Sequence, residues 1–362
     1  MNVRNVTLSA CALVGASLLF CGCAAPSALV HPPPTTEWRV GPFVVRRVSL
    51  PASVLDNAND RFLGSDTVLR VGTTSPYVVS RRSLDSRHWS TVAALRCSQQ
   101  PIWQGGEGPR AILLCVGPTG TPTRLVLVGD RGGAAIYDLP VHLAHIYGGS
   151  VVTTEAGSQL FWEAIGTSPF SAPAGTGTIN LRTGARSTAT LPSFGPVILS
   201  PDDTLYAFKT SLKQGSSAGE YRLTGSQGRW EFVGNLPDQR IVAVGNDGTA
   251  WAFTPNEADI NLGDFVRETP GSHRVSTWTI HGYAIGYGPG YIAYMPLGTD
   301  GTSGSSLDLF FPMQHRTLRF QGLYFSGAPT GPAPAYLDQT SPSTGLLHLQ
   351  RGDKSENLVI TQ

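Results

Sequence analysis

Charge is scarce in this chain. Asp, Glu, Lys and Arg together make up 14% of its 362 residues, and the formal net charge is +1. Such a chain has no basic stripe for nucleic acid and no charge excess for an anionic surface, so neither partner class is expected. Lysine is nearly missing, at positions 209, 213 and 354 only; the other basic residues are arginine, a bias of genome composition rather than of chemistry. Long apolar runs are missing too. The longest lies at the N-terminus, from Val6 to Phe20, and at 1.5 Å per residue it reaches about 22 Å, short of a hydrocarbon core of roughly 30 Å. Cysteine is sparse, five residues in all, with Cys11, Cys21 and Cys23 confined to the first segment.

What is plentiful is glycine and proline, 42 and 27 residues, set between short apolar runs. Ile241–Thr254 reads IVAVGNDGTAWAFT: an apolar run, a polar turn, a second apolar run. Asp247-Gly248 is a strong hairpin signal, because glycine accepts the positive φ of a tight turn. The design recurs in Ile198–Thr210, Val151–Glu163, Ala284–Met295, Tyr324–Leu337, Leu113–Val128 and Leu69–Val79. The turn centres fall near Ser75, Pro118, Gly157, Asp203, Asp247, Pro289 and Thr330, an interval of about 43 residues, which is the length of a four-stranded propeller blade. Helical solenoids share that period but need helical periodicity, which Gly and Pro interrupt here. A β-sandwich turns every 8–12 residues or so with no longer beat. The expected fold is therefore all-β, a single β-propeller over residues 38–362, with seven blades and with six or eight left open. Trp38–Leu50 is the strand expected to close the ring, paired with Leu346–Leu349 or Leu358–Thr361.

Two units carry a family stamp. Ser200-Pro201-Asp202-Asp203-x-Leu205-Tyr206-Ala207-Phe208 resembles the S-P-D-G-x-x-x-A-F repeat of TolB-type propellers, with Asp203 in place of Gly. Ile179-Asn180-Leu181-Arg182-Thr183-Gly184 resembles the a-L-D-x-x-T-G segment of quinoprotein-like propellers, which include BamB-type outer-membrane assembly lipoproteins; Arg182 stands where that family has Asp. Both resemblances imply a propeller, and neither implies a cofactor.

Met1–Phe20 reads as a secretion signal, with Arg4 ahead of the apolar segment. Phe20-Cys21-Gly22-Cys23-Ala24-Ala25-Pro26 resembles a bacterial lipobox, which assigns residues 1–22 to the signal and makes Cys23 the lipidated residue. Ordinary cleavage after Ala24 or Ala25 is the alternative. Residues 23–37, with the run Pro32-Pro33-Pro34, form a stiff tether. A lipid-anchored chain exported from the cytoplasm is expected at the bacterial cell envelope, either on the outer membrane or on the outer face of the cytoplasmic membrane, held by its N-terminal lipid and meeting an envelope protein or a glycan. In that compartment Cys97 and Cys115 are a disulfide candidate, opposed across a hairpin turning near Gly106; two separate buried thiols are the alternative.

Chemistry-bearing patterns are few. His142-x-x-His145 lacks further metal ligands, and strand geometry sends i and i+3 to opposite faces. Asp56-Asn57-Ala58-Asn59-Asp60 fails the calcium-loop pattern at Ala58 and at the missing sixth-position Gly. No Gly-x-Ser-x-Gly elbow occurs. Asp202, Asp203 and Asp247 lie in turns and are expected to bond their own backbone. Arg351-Gly352-Asp353 reads as a surface turn, and Trp103, Trp162, Trp230, Trp251 and Trp278 read mainly as packing between blades. No metal, cofactor or catalytic residue is assigned. The expected function is a binding or scaffold module without catalysis. A propeller enzyme acting on glycans, lactones or peptides is the alternative, and a role in outer-membrane protein assembly a weaker one.

Overall fold

The computed structural model describes residues 36–50, 59–86, 88–103, 110–118, 122–129, 133–138, 151–156, 159–164, 175–180, 182–188, 197–202, 204–209, 218–224, 229–236, 240–256, 259, 262–272, 274–297, 305–323, 335–341, 343–351 and 354–362. Two compact units divide the chain, Met1–Trp38 and Arg39–Gln362. The expected signal, Cys23 and all of the tether but its last two residues lie outside the described residues, as do His142, His145, Asp203 and Thr330. No helix among the described residues is long and apolar enough to cross a membrane.

The segment expected as one strand is a hairpin, β1 (Glu37–Val40) and β2 (Phe43–Val48), because Gly41 takes φ +58° and turns the chain. The following strands run in sequence and pair with their chain neighbours. β3 (Asp60–Leu63), β4 (Thr67–Val71), β5 (Tyr77–Ser83) and β6 (Ser90–Leu95) form the first sheet. β7 (Ile102–Trp103), β8 (Arg110–Val116), β9 (Pro122–Gly129) and β10 (Ala134–Asp138) form the second. The third holds β11 (Val151–Ala156), β12 (Gln159–Ala164), β13 (Gly175–Asn180) and β14 (Arg186–Thr188). The fourth holds β15 (Val197–Leu199), β16 (Leu205–Lys209), β17 (Ala218–Thr224) and β18 (Arg229–Leu236). A seven-stranded sheet follows: β19 (Ile241–Val244), β20 (Ala250–Pro255), β21 (Leu262–Glu268), β22 (Val275–Gly288), β23 (Tyr291–Pro296), β24 (Ser306–Phe311) and β25 (Arg316–Gln321). β26 (Ala335–Ser341), β27 (Thr344–Arg351) and β28 (Lys354–Thr361) make the last sheet, to which β2 adds beside β28.

Strands of neighbouring sheets lie side by side, β15 against β19, β22 against β26 and β26 against β3, and within the seven-stranded sheet β19 lies against β22. With strands in meander order and almost no helix, this is a propeller-like arrangement. The closing pair is β2 with β28, from Val44 opposite Thr361 to Val48 opposite Asn357. Of the two expected partners for the N-terminal strand, Leu358–Thr361 is the one used.

Repeats and sheets are offset in part. The turn at Asp247 joins the first and second strands of its sheet and that at Pro289 joins β22 to β23, whereas Ser75 and Pro118 lie between second and third strands. Any hairpin gives the same run-turn-run signal, so the pattern fixed the period but let the phase slip by one strand in the first two sheets. The stamp at Asn180 has a local cause. Its Oδ1 accepts the backbone N–H groups of Arg182 and Thr183 at 2.9 and 3.0 Å, which holds the turn before Gly184, at φ +70°.

The core lies between neighbouring sheets. Leu69 and Val79 of the first pack with Leu113 and Val126 of the second, and Phe62 and Val68 pack with Leu346 and Val359 of the last. Each such side chain contributes about 1.5–3 kcal/mol relative to exposure. Buried acids on these faces find cations: Asp60 takes Arg70 bidentately at 2.8 and 2.7 Å, and Asp308 takes Arg319 at 2.7 and 2.6 Å. Asp60 is thus committed to an ion pair.

Cys97 and Cys115 stand in disulfide geometry inside the first core layer, with Cα atoms 5.3 Å apart. The route differs from the expected hairpin register. β7 meets β8 with Ile102 opposite Leu114, which leaves Cys97 off that ladder. Instead the segment after β6 lies along β8, with Ser98 N–H donating to Val116 O at 3.1 Å.

Two outcomes are expected. Without reductant, peptides containing Cys97 and Cys115 resist alkylation and appear as one cross-linked species, and replacing both by Ser lowers stability by about 3 kcal/mol; free labelling of both thiols contradicts this. In β22, Val275–His281 pairs with β21 and Gly282–Gly288 with β23. A Cβ on Gly282, where the strand changes partner, would lie 2.2 Å from the Met295 carbonyl oxygen. Gly282→Ala is expected to destabilise by about 2 kcal/mol or more, read as a fall in Tm; an unchanged Tm contradicts the close approach.

Candidate functional site

The turn between β19 and β20 is built by its own side chains. Gly245 N–H donates to Thr249 O at 2.9 Å, and Thr249 N–H donates to Asp247 Oδ1 at 3.0 Å. Gly248 takes φ +76°, a conformation that disfavours other residues. The turn before β16 repeats the device: Ser200 N–H donates to Thr204 O at 2.9 Å, and Thr204 N–H to Asp202 Oδ1 at 3.3 Å. The expectation that Asp202 and Asp247 bond their own turn backbone agrees with these contacts.

Beside the first of these turns lies a cavity of about 280 Å³, walled by Asn246, Asp247, Trp251, Arg267, Phe43 and Gln314. Three parts of the chain meet there. Trp251 and Arg267 are cross-strand partners on β20 and β21. Phe43 opens β2, and Gln314 belongs to the 3-10 turn Pro312–Gln314 between β24 and β25. Gln362, the last residue, completes the rim. Trp251 is held in place by stacking on Phe265 and Trp278, at centroid distances of 5.1 and 6.1 Å. Phe43 meets Tyr291 edge-on at 5.7 Å. Trp251 and Phe43 are 5% and 3% exposed, so the aromatic residues give the cavity a rigid wall, and the amides and charges that line it can hydrogen-bond a polar ligand.

The cavity's charges compensate. Arg267 Nη2 is 3.9 Å from Asp247 Oδ2. Burial opposes the Asp247 charge, but hydrogen bonds from Thr249 and its own backbone, with Arg267, outweigh it and hold the carboxyl below its ordinary range.

Behind the turn the picture reverses. Glu220 on β17 is 0% exposed and Glu268 at the end of β21 is 1% exposed, and among the described residues no oxygen of either carboxyl has a hydrogen-bond partner. Glu220 lies against the turn: its Oε1 is 3.3 Å from where a Cβ on Gly248 would stand, and Tyr206 Oη is 3.4 Å from the same point. Burial, reinforced by Asp247, pushes Glu220 up to about 8. Burial alone pushes Glu268 up to about 7. Tyr206 is raised by burial and then by Glu220. Sequence reasoning missed both glutamates and Arg267. Glu220 sits where β17 and β18 change register, between Glu220 and Tyr221, and no sequence period announces such a bulge.

The other expected positions have structural roles. Trp103 and Trp230 pack against core clusters, Trp278 stacks behind Trp251, and the side chain of Trp162 lies outside the described residues. Arg351 Nε is 3.0 Å from Glu356 Oε2, while Gly352 and Asp353 lie outside the described residues, as do Asp56, Asn57 and Ala58. Among the described residues no group of three His, Cys, Asp or Glu is placed to hold a metal ion.

No protein-family model matches the chain, and no curated protein matches it significantly. Solved structures similar to it include puromycin hydrolase, 14% identical with TM-score 0.45, covering 84% of this chain and 51% of that one. TolB from Acinetobacter baumannii is 12% identical with TM-score 0.35, covering 90% and 78%. The β-propeller domain of the Trilobed protease from Pyrococcus furiosus is 7% identical with TM-score 0.45, covering 82% and 97%. The chain spans about half the length of puromycin hydrolase, 51%.

The raised carboxyls set a pH dependence. In the folded chain Glu220 and Glu268 keep protons that the unfolded chain releases above its ordinary carboxyl range, so folding takes up protons between there and pH 7–8. Stability therefore falls as pH rises through this window, by a few kcal/mol in all, or about 5 °C in Tm. Glu220→Gln and Glu268→Gln together are expected to flatten the decline and to raise Tm at pH 9. Melting curves from pH 5 to 9 with the same slope in both proteins contradict this.

Proposed function

We propose that the chain is a lipid-anchored, extracytoplasmic β-propeller that serves as a binding or scaffold module at the bacterial cell envelope, without catalysis of its own. In this reading Cys23 carries the lipid, residues 23–37 hold the propeller off the membrane, and the partner is an envelope protein or glycan. The blade count is seven, with the seven-stranded sheet taken as two blades that share β22 and part at His281–Gly282.

The observation that carries the binding reading is the cavity at Trp251. Its walls supply a fixed indole, the amides of Asn246, Gln314 and Gln362, and an acid and a cation, Asp247 and Arg267, that neutralise each other. Those are the groups of a recognition site for a polar, near-neutral ligand. The enzyme reading draws on one observation: Glu220 and Asp247 interact and are shifted in opposite directions, as an acid and a base would be. Glu220 is fully enclosed behind the turn, however, and does not face the cavity, so binding is the better-supported function.

The test uses the full chain expressed in a bacterium. Cys23→Ala is expected to move it from the membrane fraction to the soluble fraction, since acyl chains contribute about 0.8 kcal/mol per buried CH₂. Purified protein is then titrated with neutral envelope oligosaccharides and with peptides, followed by tryptophan fluorescence. Saturable binding is expected, weakened about tenfold or more by Trp251→Leu and Asn246→Ala, with the added compound recovered intact. Cleaved products would replace the binding reading by the enzyme one, and a membrane-bound Cys23→Ala variant would overturn the anchor.

A further inference from the structure

A second cavity, remote in sequence from Trp251, has a different charge logic. On the first sheet Arg82 pairs with Val68 and Arg70 with Asp60 across neighbouring strands, which puts all four on one face. Trp89, just before β6, covers this face and packs with Leu346 and Val359 of the last sheet. Both guanidinium groups lie over its ring, Arg70 at 4.3 Å and Arg82 at 5.4 Å from the centroid. Their charges are not used alike. Arg70 is spent on Asp60. Arg82 makes no ion pair among the described residues, and its Nε is buried without an acceptor.

Next to Arg82 opens a cavity of about 550 Å³ lined by Arg82, Ser86, His88 and Trp89, with Arg81 and Ser83 of the same strand on its border. Asp66, the acid on its wall among the described residues, accepts a hydrogen bond from Thr67 Oγ1 at 3.0 Å. Arg81 pairs with Leu69 on the opposite face of β5, so Arg82 is the arginine whose strand face carries Trp89. The volume lies within the range of small-molecule sites, about 300–1,000 Å³, and exceeds what one anionic group fills. A guanidinium fork selects a carboxylate or phosphate, and its desolvated setting strengthens that bond. Ser86 and His88 suit a hydroxylated body.

We propose that this cavity binds a polyhydroxylated ligand with one anionic group, a sugar phosphate or a uronic acid, whose anion lies in the fork of Arg82. Ser86 and His88 hydrogen-bond the hydroxyls. The site stands whether or not the cavity at Trp251 binds its own ligand.

Calorimetric titration of the full chain with glucose phosphate, glucuronate, glucose and inorganic phosphate tests this. At least one anionic sugar is expected to bind about tenfold or more tightly than glucose and than inorganic phosphate, with affinity falling as salt rises; which of the two wins tells phosphate from carboxylate. Arg82→Gln is expected to weaken that binding about tenfold or more, with an unchanged circular dichroism spectrum. Equal affinity for glucose, no binding of either anionic sugar, or unchanged affinity in Arg82→Gln overturns the proposal. Arg82 packs on Trp89, so if Arg82→Gln does not fold, the double variant Ser86→Ala with His88→Ala on the cavity wall takes its place. A loss of about threefold or more is then expected, and an unchanged affinity overturns the site.

Discussion

The pairing of β2 with β28 is the constraint on which most of the Arg39–Gln362 unit depends. A row of antiparallel sheets leaves a raw edge at each end, and here the chain's early strand covers the edge of its last sheet, with Val44 opposite Thr361. The apolar layer between first and last sheets, Phe62 and Val68 against Leu346 and Val359, needs that sheet complete. So does the cavity at Trp251, since Phe43 and Gln362 reach it only because β2 and β28 lie side by side. Cavity shape and strand closure are therefore coupled: a chain that lost the β2–β28 pairing would lose Phe43 and Gln362 from the wall, while Trp251 would keep its stack on Phe265 and Trp278.

Much of this architecture was legible in the sequence. The glycines, the Asp-Gly pair and the beat of the turns gave the strand class and the repeat, because turn chemistry is local: Asp247 caps Thr249 through contacts within three residues. The phase of the repeat was not legible at Ser75 and Pro118, since a hairpin between second and third strands looks like one between first and second. Nor was the change of partner within β22 visible. Gly282 reads as an ordinary interruption until Met295 is placed against it. Cys97 and Cys115 were paired correctly as candidates but through the wrong neighbour, because the ladder of β7 and β8 was inferred from the midpoint of the two cysteines rather than from Ile102 and Leu114.

The candidate sites were less legible than the fold, for a reason visible in their acids and bases. Along a strand, a charged residue is read as facing solvent. Asp60 and Asp308 break that rule and are compensated by Arg70 and Arg319, one strand over. Glu220 and Glu268 break it without compensation. Whether a buried charge has a partner depends on register, and register at Glu220 is set by an irregularity with no sequence signature.

The same pairing rule separates the two cavities. Cross-strand acid–arginine pairs are the sheets' usual way of tolerating charge, and where the pair is complete the neighbourhood is electrically quiet. At Trp251 the pair Asp247–Arg267 is loose, at 3.9 Å, and both residues line the cavity, so the charges of that wall compensate. At Trp89 one arginine is used and its neighbour is not: Arg70 holds Asp60 while Arg82, over the same ring, holds no acid among the described residues. A cation kept partly desolvated without a partner lowers stability unless something external supplies the anion. The fold thus carries an incomplete copy of its own stabilising motif, and the missing half is what a ligand would bring.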